Sequence, residues 1–282
     1  MNFLIYTINE FDNDCGGLVV QYYLASLLEE HGISVRIKAP KNIENNIFNK
    51  WYQDGDPFDI VLYGETIPGN PMYGKHVVRW ILAELGVFSS IDINKTWGPN
   101  DLVYYYYGLY DNILRIQYIN PNVCNTNLLG SRKEYCHTFR KSFLHEHEMI
   151  TVPDNSYEVS RQADYVKIFN EYKYFICYDP CTLLLIIAPL CGCITIIHPY
   201  KGYTRKEWLT FWNFQVFLEE TNTELYGVAY GYEPSEIEFA KNTLHLAKGL
   251  IDNYNNNTNK LPTFIKSIRY LSDIEKNNSN NH

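Results

Sequence analysis

Positive charge is scarce in this chain. Its 24 Lys and Arg face 32 Asp and Glu, which leaves a formal charge of −8 over 282 residues. A binder of nucleic acid needs a basic face for its phosphate contacts, so this balance argues against one. It argues in the same direction, more weakly, against docking on an anionic membrane. Long apolar runs are missing too. The longest, Leu183 to Leu190, falls far short of the roughly 20 residues that span a bilayer. The opening MNFLIYTINE has no basic segment ahead of an apolar stretch and does not read as a signal peptide. Seven cysteines at irregular spacing are an odd number for a disulfide framework and fit reduced thiols. Together these features predict a cytoplasmic protein with no membrane span. Neither GxGxxG nor a P-loop is present, which leaves a two-lobed dehydrogenase poorly supported.

What is present is an ordinary globular balance, 46% hydrophobic and 20% charged, with enough length for two domains of about 100–150 residues. Tyrosine is abundant, with 25 copies, and asparagine collects in tracts such as NNYNNNTN. Aromatic excess suits a carbohydrate-stacking surface, but Tyr, Asn and Ile are also the residues that an A/T-rich genome favours, as in some large DNA viruses and microbes.

Short β runs alternate with helical patterns along the chain, the signature of parallel sheets covered by helices. Strands are expected at Phe3–Ile8, Val35–Ala39, Ile60–Tyr63, Val103–Tyr107 and Leu114–Tyr118. The spacing predicts a helix from Gly16-Gly17 to about Glu30, ended by Gly32, and a second helix opened by Asn70-Pro71 and running through Val77, Trp80, Ile81 and Leu85. The polar stretch Asn120–Gly130 reads as a linker. Beyond it, strands are expected at Cys136–Phe139, Met149–Val152, Tyr174–Tyr178 and Ile194–Ile197. Helices are expected at Glu158–Glu171, Pro180–Leu190, Pro234 to about Asn253 and Pro262–Lys276, before a disordered NNSNNH tail. The expected fold is α/β, with two Rossmann-like lobes and a cleft between them. Residues 1–125 form the first lobe, 126–258 the second, and 259–282 a closing helix and tail.

Several groups carry candidate chemistry. Asp14-Cys15-Gly16-Gly17 opens the first helix, where free N–H groups and glycine backbone can receive a phosphate or simply make a tight turn. Asp12-Asn13-Asp14 matches a D-x-D metal signature, but it follows the first strand and is read as chance, so no metal is expected. Glu65 ends a strand and either faces an acceptor hydroxyl as base or is a satisfied loop carboxylate. Asp14 is the second candidate catalytic carboxylate. Asp179 precedes Pro180 at the carboxyl end of a strand, where open α/β sheets bind ligands, and also reads as an N-cap. Thr182 follows it. Arg140-Lys141 could neutralise a diphosphate. Lys75 and Arg79 read as a solvated helix face. His145-Glu146-His147 lacks a matching third ligand. The pairs Cys191/Cys193 and Cys177/Cys181 read as small buried hydrophobes.

The segment from Tyr174 to Pro199, a strand, an acidic turn, a helix with A-x-x-x-G at Ala188–Gly192, then an apolar strand and Pro, resembles the donor-binding element of GT-B glycosyltransferases. GGLVVQYYLASLLEEHG looks like that family's glycine loop and first helix. DIVLYGETIPGNPMYGKHVVRWIL resembles a block of some bacterial and large-DNA-virus members, and ELYGVAYGYEPSEIEFAKNT its closing segment. The resemblance implies a glycosyltransferase that moves a sugar from a nucleotide-sugar donor to a glycan or other hydroxyl acceptor without a metal cofactor. It places the donor on Arg140, Lys141, Asp179 and Thr182, with Gly16 and Gly17 also binding substrate. In many retaining members a second acidic residue follows the first, and here that position is Ile187. The departure supports an alternative, a degenerate GT-B-like protein that binds a nucleotide or glycan without turnover.

Overall fold

The computed structural model describes all residues except 14, 107, 109, 121–130, 140–150, 161–163, 213, 215–217, 220–222, 257 and 280–282, and for 274–279 the backbone alone. The chain divides into two compact units, Met1–Tyr118 with Asn257–His282, and Ile119–Asn256.

The first unit is built on five parallel strands: β1 (Asn2–Tyr6), β2 (Ser34–Lys38), β3 (Ile60–Gly64), β4 (His76–Ile81) and β5 (Leu102–Tyr105). Their order in the sheet is β2-β1-β3-β4-β5. Helix α1 (Gly16–Glu30) links β1 to β2 and buries Leu18, Tyr22, Ala25 and Leu28 among others. Its end is a Schellman turn. Gly32 takes φ +77, its N–H reaches the Glu29 carbonyl at 2.9 Å, and the Ile33 N–H reaches the Leu28 carbonyl at 3.0 Å.

The second unit repeats the plan with β6 (Lys133–Thr138), β7 (Tyr157–Glu158), β8 (Tyr172–Cys177), β9 (Ile194–Ile197) and β10 (Val228–Tyr230), all parallel. The order β10-β9-β8-β6-β7 is the first unit's order read from the other edge, with β6 in the place of β1. Helices α2 (Tyr165–Glu171), α3 (Leu184–Leu190), α4 (Arg205–Phe211), α5 (Pro234–Thr243) and α6 (Leu250–Asn256) accompany it. Each unit is thus a doubly wound, Rossmann-like layer structure with its own core. The last helix, α7 (Leu261–Ser279), belongs with the first unit. Its Phe264 meets Phe3 and Tyr104 edge-on, at 6.2 and 4.9 Å. It runs into the segment expected to be a disordered tail, and 280–282 lie outside the described residues.

Several expectations are corrected. The segment opened by Asn70-Pro71 does not form a helix. Asn70 makes a turn, its Oδ1 accepting from the Tyr63 hydroxyl and the Gly74 N–H, and HVVRWI is strand β4. Its near-continuous apolar run suits a central strand covered on both faces, which periodicity alone does not separate from a buried helix. Leu114–Tyr118 is not a strand, and one isolated bridge joins Tyr105 to Ile113 beside it. The helix expected from Glu158 begins only at Tyr165, where Asp164 caps it through the Lys167 N–H at 3.1 Å. Thr151 and Val152 form no strand, and Met149 lies outside the described residues.

Candidate functional site

In parallel sheets of this kind the loops that leave the carboxyl ends of the strands collect on one edge, and ligands bind there.

In the first unit, Glu65 stands one residue beyond β3 and is 6% exposed. Its carboxylate accepts the N–H of Leu82, one residue beyond β4, at 3.0 Å, and so ties two neighbouring strand ends together. Burial pushes its pKa up, and hydrogen bonds from the N–H groups of Leu82 and of Glu65 itself partly oppose the shift. Helix α1 lies over these ends. A side chain at Gly64 would meet Gln21 Nε2 at 3.3 Å, and one at Gly17 would meet Leu82 Cδ1 at 3.5 Å. Neither Gly16 nor Gly17 takes a positive φ, and a methyl at Gly17 would make ordinary contact, so the fold itself does not demand glycine at position 17. Cys15 is the N-cap residue of α1 and supplies no side-chain cap. Asp14 lies outside the described residues.

Arg79 is not on a solvated face. It is fully buried in β4, pairs with Asp101 at 2.7 Å, and donates to the carbonyls of Ile67 (3.1 Å) and Gly69. The rings of Tyr63 and Trp97 flank its guanidinium at 4.8 and 5.2 Å. Its task is to pin the loop that follows Glu65, whereas Lys75 is exposed ahead of the strand.

In the second unit, Asp179 is fully buried just past β8, but it does not cap α3. That helix starts at Leu184 with Leu183 as its N-cap residue, and the Thr182 hydroxyl stands 3.4 Å from the Leu184 nitrogen. The chain between is held by the Trp208 indole, which donates to the Pro180 carbonyl at 2.8 Å. Ile187 is buried in α3 within the core, so that position cannot offer a ligand contact. Arg140, Lys141, His145, Glu146 and His147 lie outside the described residues. Cys177, Cys191 and Cys193 are buried, and burial pushes the Cys193 thiol well up, as for small hydrophobes; Cys181 is partly exposed.

The sequence reading missed a row of rings on this edge. Phe139, Tyr178, His198 and Tyr232 each follow a strand end, those of β6, β8, β9 and β10. Phe139 stacks on Tyr178 at 4.6 Å and 11°, Tyr178 meets His198 at 5.1 Å, and His198 meets Tyr232 at 6.0 Å. His198 Nδ1 lies 3.1 Å from the Tyr232 hydroxyl, and the Tyr178 hydroxyl donates to the Thr151 carbonyl at 2.9 Å. Tyr232 is 50% exposed at the open end of the row, its phenol held far up its range first by burial and then by Tyr178. Behind the row, His137 bonds Ser156 Oγ at 2.8 Å, and burial lowers its pKa against the pull of Glu158. Aromatic residues one or two positions past successive β runs were the available signal.

Among the described residues no group of three or more His, Cys, Asp or Glu could hold a metal ion, and no helix is long and apolar enough to cross a membrane.

No protein-family model and no curated protein sequence matches the chain. Among solved structures it is similar to the MurG of Acinetobacter baumannii, at 10% identity and TM-score 0.38, over 95% of this chain and 99% of that one. It is similar to an alpha-glucosyltransferase in complex with UDP and a 13-mer DNA, at 8% identity and TM-score 0.43, over 94% and 95%. It is similar also to the spinosyn forosaminyltransferase SpnP, at 11% identity and TM-score 0.41, over 95% and 99%. At these identities the chemistry has to be argued from this chain's own residues.

Proposed function

We propose that this chain is a glycosyltransferase that moves a sugar, of the hexosyl type, from a nucleotide-sugar donor to the hydroxyl of a glycan or other acceptor. The observation that carries the reading is the pairing of two like-wound sheets with unlike carboxyl edges. One presents a buried carboxyl of raised pKa, the other a row of rings beside an acidic turn. The resemblance of both halves of the sequence to GT-B glycosyltransferases supports it.

In this reading the second unit holds the donor, with Arg140, Lys141, Asp179 and Thr182 about the phosphates and sugar and the exposed Tyr232 ring at the end of the row as a stacking face for the rest of the nucleotide. The first unit holds the acceptor, with Asp14, Gly16 and Gly17 beside it. Glu65 takes the acceptor's hydroxyl proton as its oxygen bonds to the anomeric carbon, while the bond from that carbon to the diphosphate breaks. A carboxyl whose pKa is raised by burial is a stronger base than a solvated one. The departing diphosphate gathers negative charge, which the Arg140-Lys141 pair offsets with no metal needed. The net charge of −8 and a cysteine set unsuited to a disulfide frame support action in the cytoplasm on acceptors other than nucleic acid.

Titration with a panel of nucleoside diphosphates tests the donor site. The matching one, at 100 times its Kd, should raise stability by about 2.7 kcal/mol. Replacing Arg140 or Lys141 by Ala should remove about 1.5–3 kcal/mol of that binding. Unchanged melting with every nucleotide overturns the reading. Turnover in EDTA checks metal independence. The buried Ile187 favours a second reading, a binder without turnover, and slow release of free sugar from the donor decides for catalysis.

A further inference from the structure

The first unit's carboxyl edge has a chemical character of its own. Four large apolar side chains stand exposed in the loops that leave β1, β4 and β5: Ile8 (48%), Phe88 (47%), Ile91 (67%) and Tyr110 (49%). The strands β1, β3, β4 and β5 are neighbours and parallel, so these loops all leave the edge that carries Glu65. The loop after β4 is folded back on itself. The Val87 N–H reaches the Glu84 carbonyl at 3.1 Å, and Gly86, at φ +95, lies so close that a side chain there would meet Ile91 at 3.2 Å. Phe88 and Ile91 are thus presented by a formed turn. The same loops carry the exposed carboxylates Glu10, Asp12, Glu84 and Asp111. The exposed Lys95 of the loop after β4 is paired with Asp92 at 2.9 Å.

We propose that this edge selects an acceptor that is a cationic amphiphile, a hydroxyl compound with an apolar body and a protonated amine. The inference rests on the reading that the first unit holds the acceptor. Exposed apolar side chains on loops that leave the same edge as a buried carboxyl supply the contact area, and the carboxylates of those loops attract an ammonium while repelling phosphates and uronates. A polyanion such as duplex DNA is the opposite of what this edge fits.

Matched probes test it on the whole chain: octyl 6-amino-6-deoxyglucoside, octyl glucoside, octyl glucuronide and methyl 6-amino-6-deoxyglucoside, titrated calorimetrically at pH 7 below micelle concentrations. The octyl amine should bind tightest and weaken with salt, with the glucuronide and the methyl amine each at least roughly tenfold weaker. Phe88→Ser with Ile91→Ser should erase the octyl advantage over methyl, and Glu84→Gln with Asp111→Asn should shrink the amine's advantage over glucuronide. These positions are exposed, so melting near wild type is expected in both variants. Equal binding of octyl and methyl, a glucuronide as tight as the amine, binding of duplex DNA in preference, or no binding of any probe overturns the inference. The donor reading is judged separately, by the nucleoside-diphosphate titration, so the two failures are distinguishable.

Discussion

The two units share a strand order and differ in what their carboxyl edges are made of. The first unit buries ionisable groups: Arg79 against Asp101 in the body of the sheet, and at the carboxyl edge Glu65, whose carboxyl accepts the Leu82 N–H. The second is held by rings, with His198 bonded to a tyrosine. The shared topology decides where a ligand can sit. The side chains decide how rigidly the edge is specified and which charge it tolerates. A buried ion pair fails badly when one partner is lost, whereas a ring row degrades by fractions.

That contrast can be broken at several points, the largest effect first. Glu65→Gln keeps an acceptor for the Leu82 N–H but removes the base, so transfer should fall about 10²–10⁴-fold with little change in melting. Transfer at the wild-type rate would return Glu65 to a purely structural role. Arg79→Ala should cost about 3–5 kcal/mol in denaturant unfolding, because Asp101 and two carbonyls are left without their cation. Tyr232→Phe keeps the ring and removes the hydroxyl held to His198, so stability should drop by no more than about 1 kcal/mol. A loss as large as that of Arg79→Ala would erase the distinction between the edges. Gly17→Ala should leave melting unchanged or raised by about 0.4–1 kcal/mol, since the methyl fits. Lost ligand binding in that variant would show that a ligand comes close to the helix start.

The edges also answer pH with opposite signs. Both Glu65 and His137 are buried in settings that favour the neutral form. The folded pKa of Glu65 is raised, so the folded state holds the proton more tightly, and stability falls as pH rises from the unfolded carboxylate value of about 4.3. The folded pKa of His137 is lowered, so the unfolded state binds the proton first, and stability falls as pH drops below about 6.5. Stability measured from pH 4 to 8 should therefore lose its fall below about 6.5 in His137→Asn and its fall above about 4.3 in Glu65→Gln.

Much of this was legible in the chain. The alternation of β runs and helical patterns, the stop at Gly32 and the place of Glu65 at a strand end follow from local spacing. So does the Thr204–Glu207 capping box of α4. Strand β4 was not legible, because a strand covered on both faces carries no alternation and its Arg79 looked like a surface residue until Asp101, 22 positions away, was folded against it. Asp179 looked like a cap because Pro180 follows it, yet the chain is held at Pro180 by Trp208 and the helix begins later.

By itself the sequence determined the class of fold, since hydrophobic period and turn residues act over a few neighbours and are written in order. It determined too that the surface would be acidic and the cysteines unsuited to a disulfide frame. Only the tertiary structure decided which polar groups are buried and what they meet. Phe139, Tyr178, His198 and Tyr232 come from four distant segments, and parallel strand ends alone bring them into one row. Burial and long-range pairing arise from the packing of a whole sheet, and they turn ordinary residues such as Glu65 and Arg79 into a raised carboxyl and a buried cation.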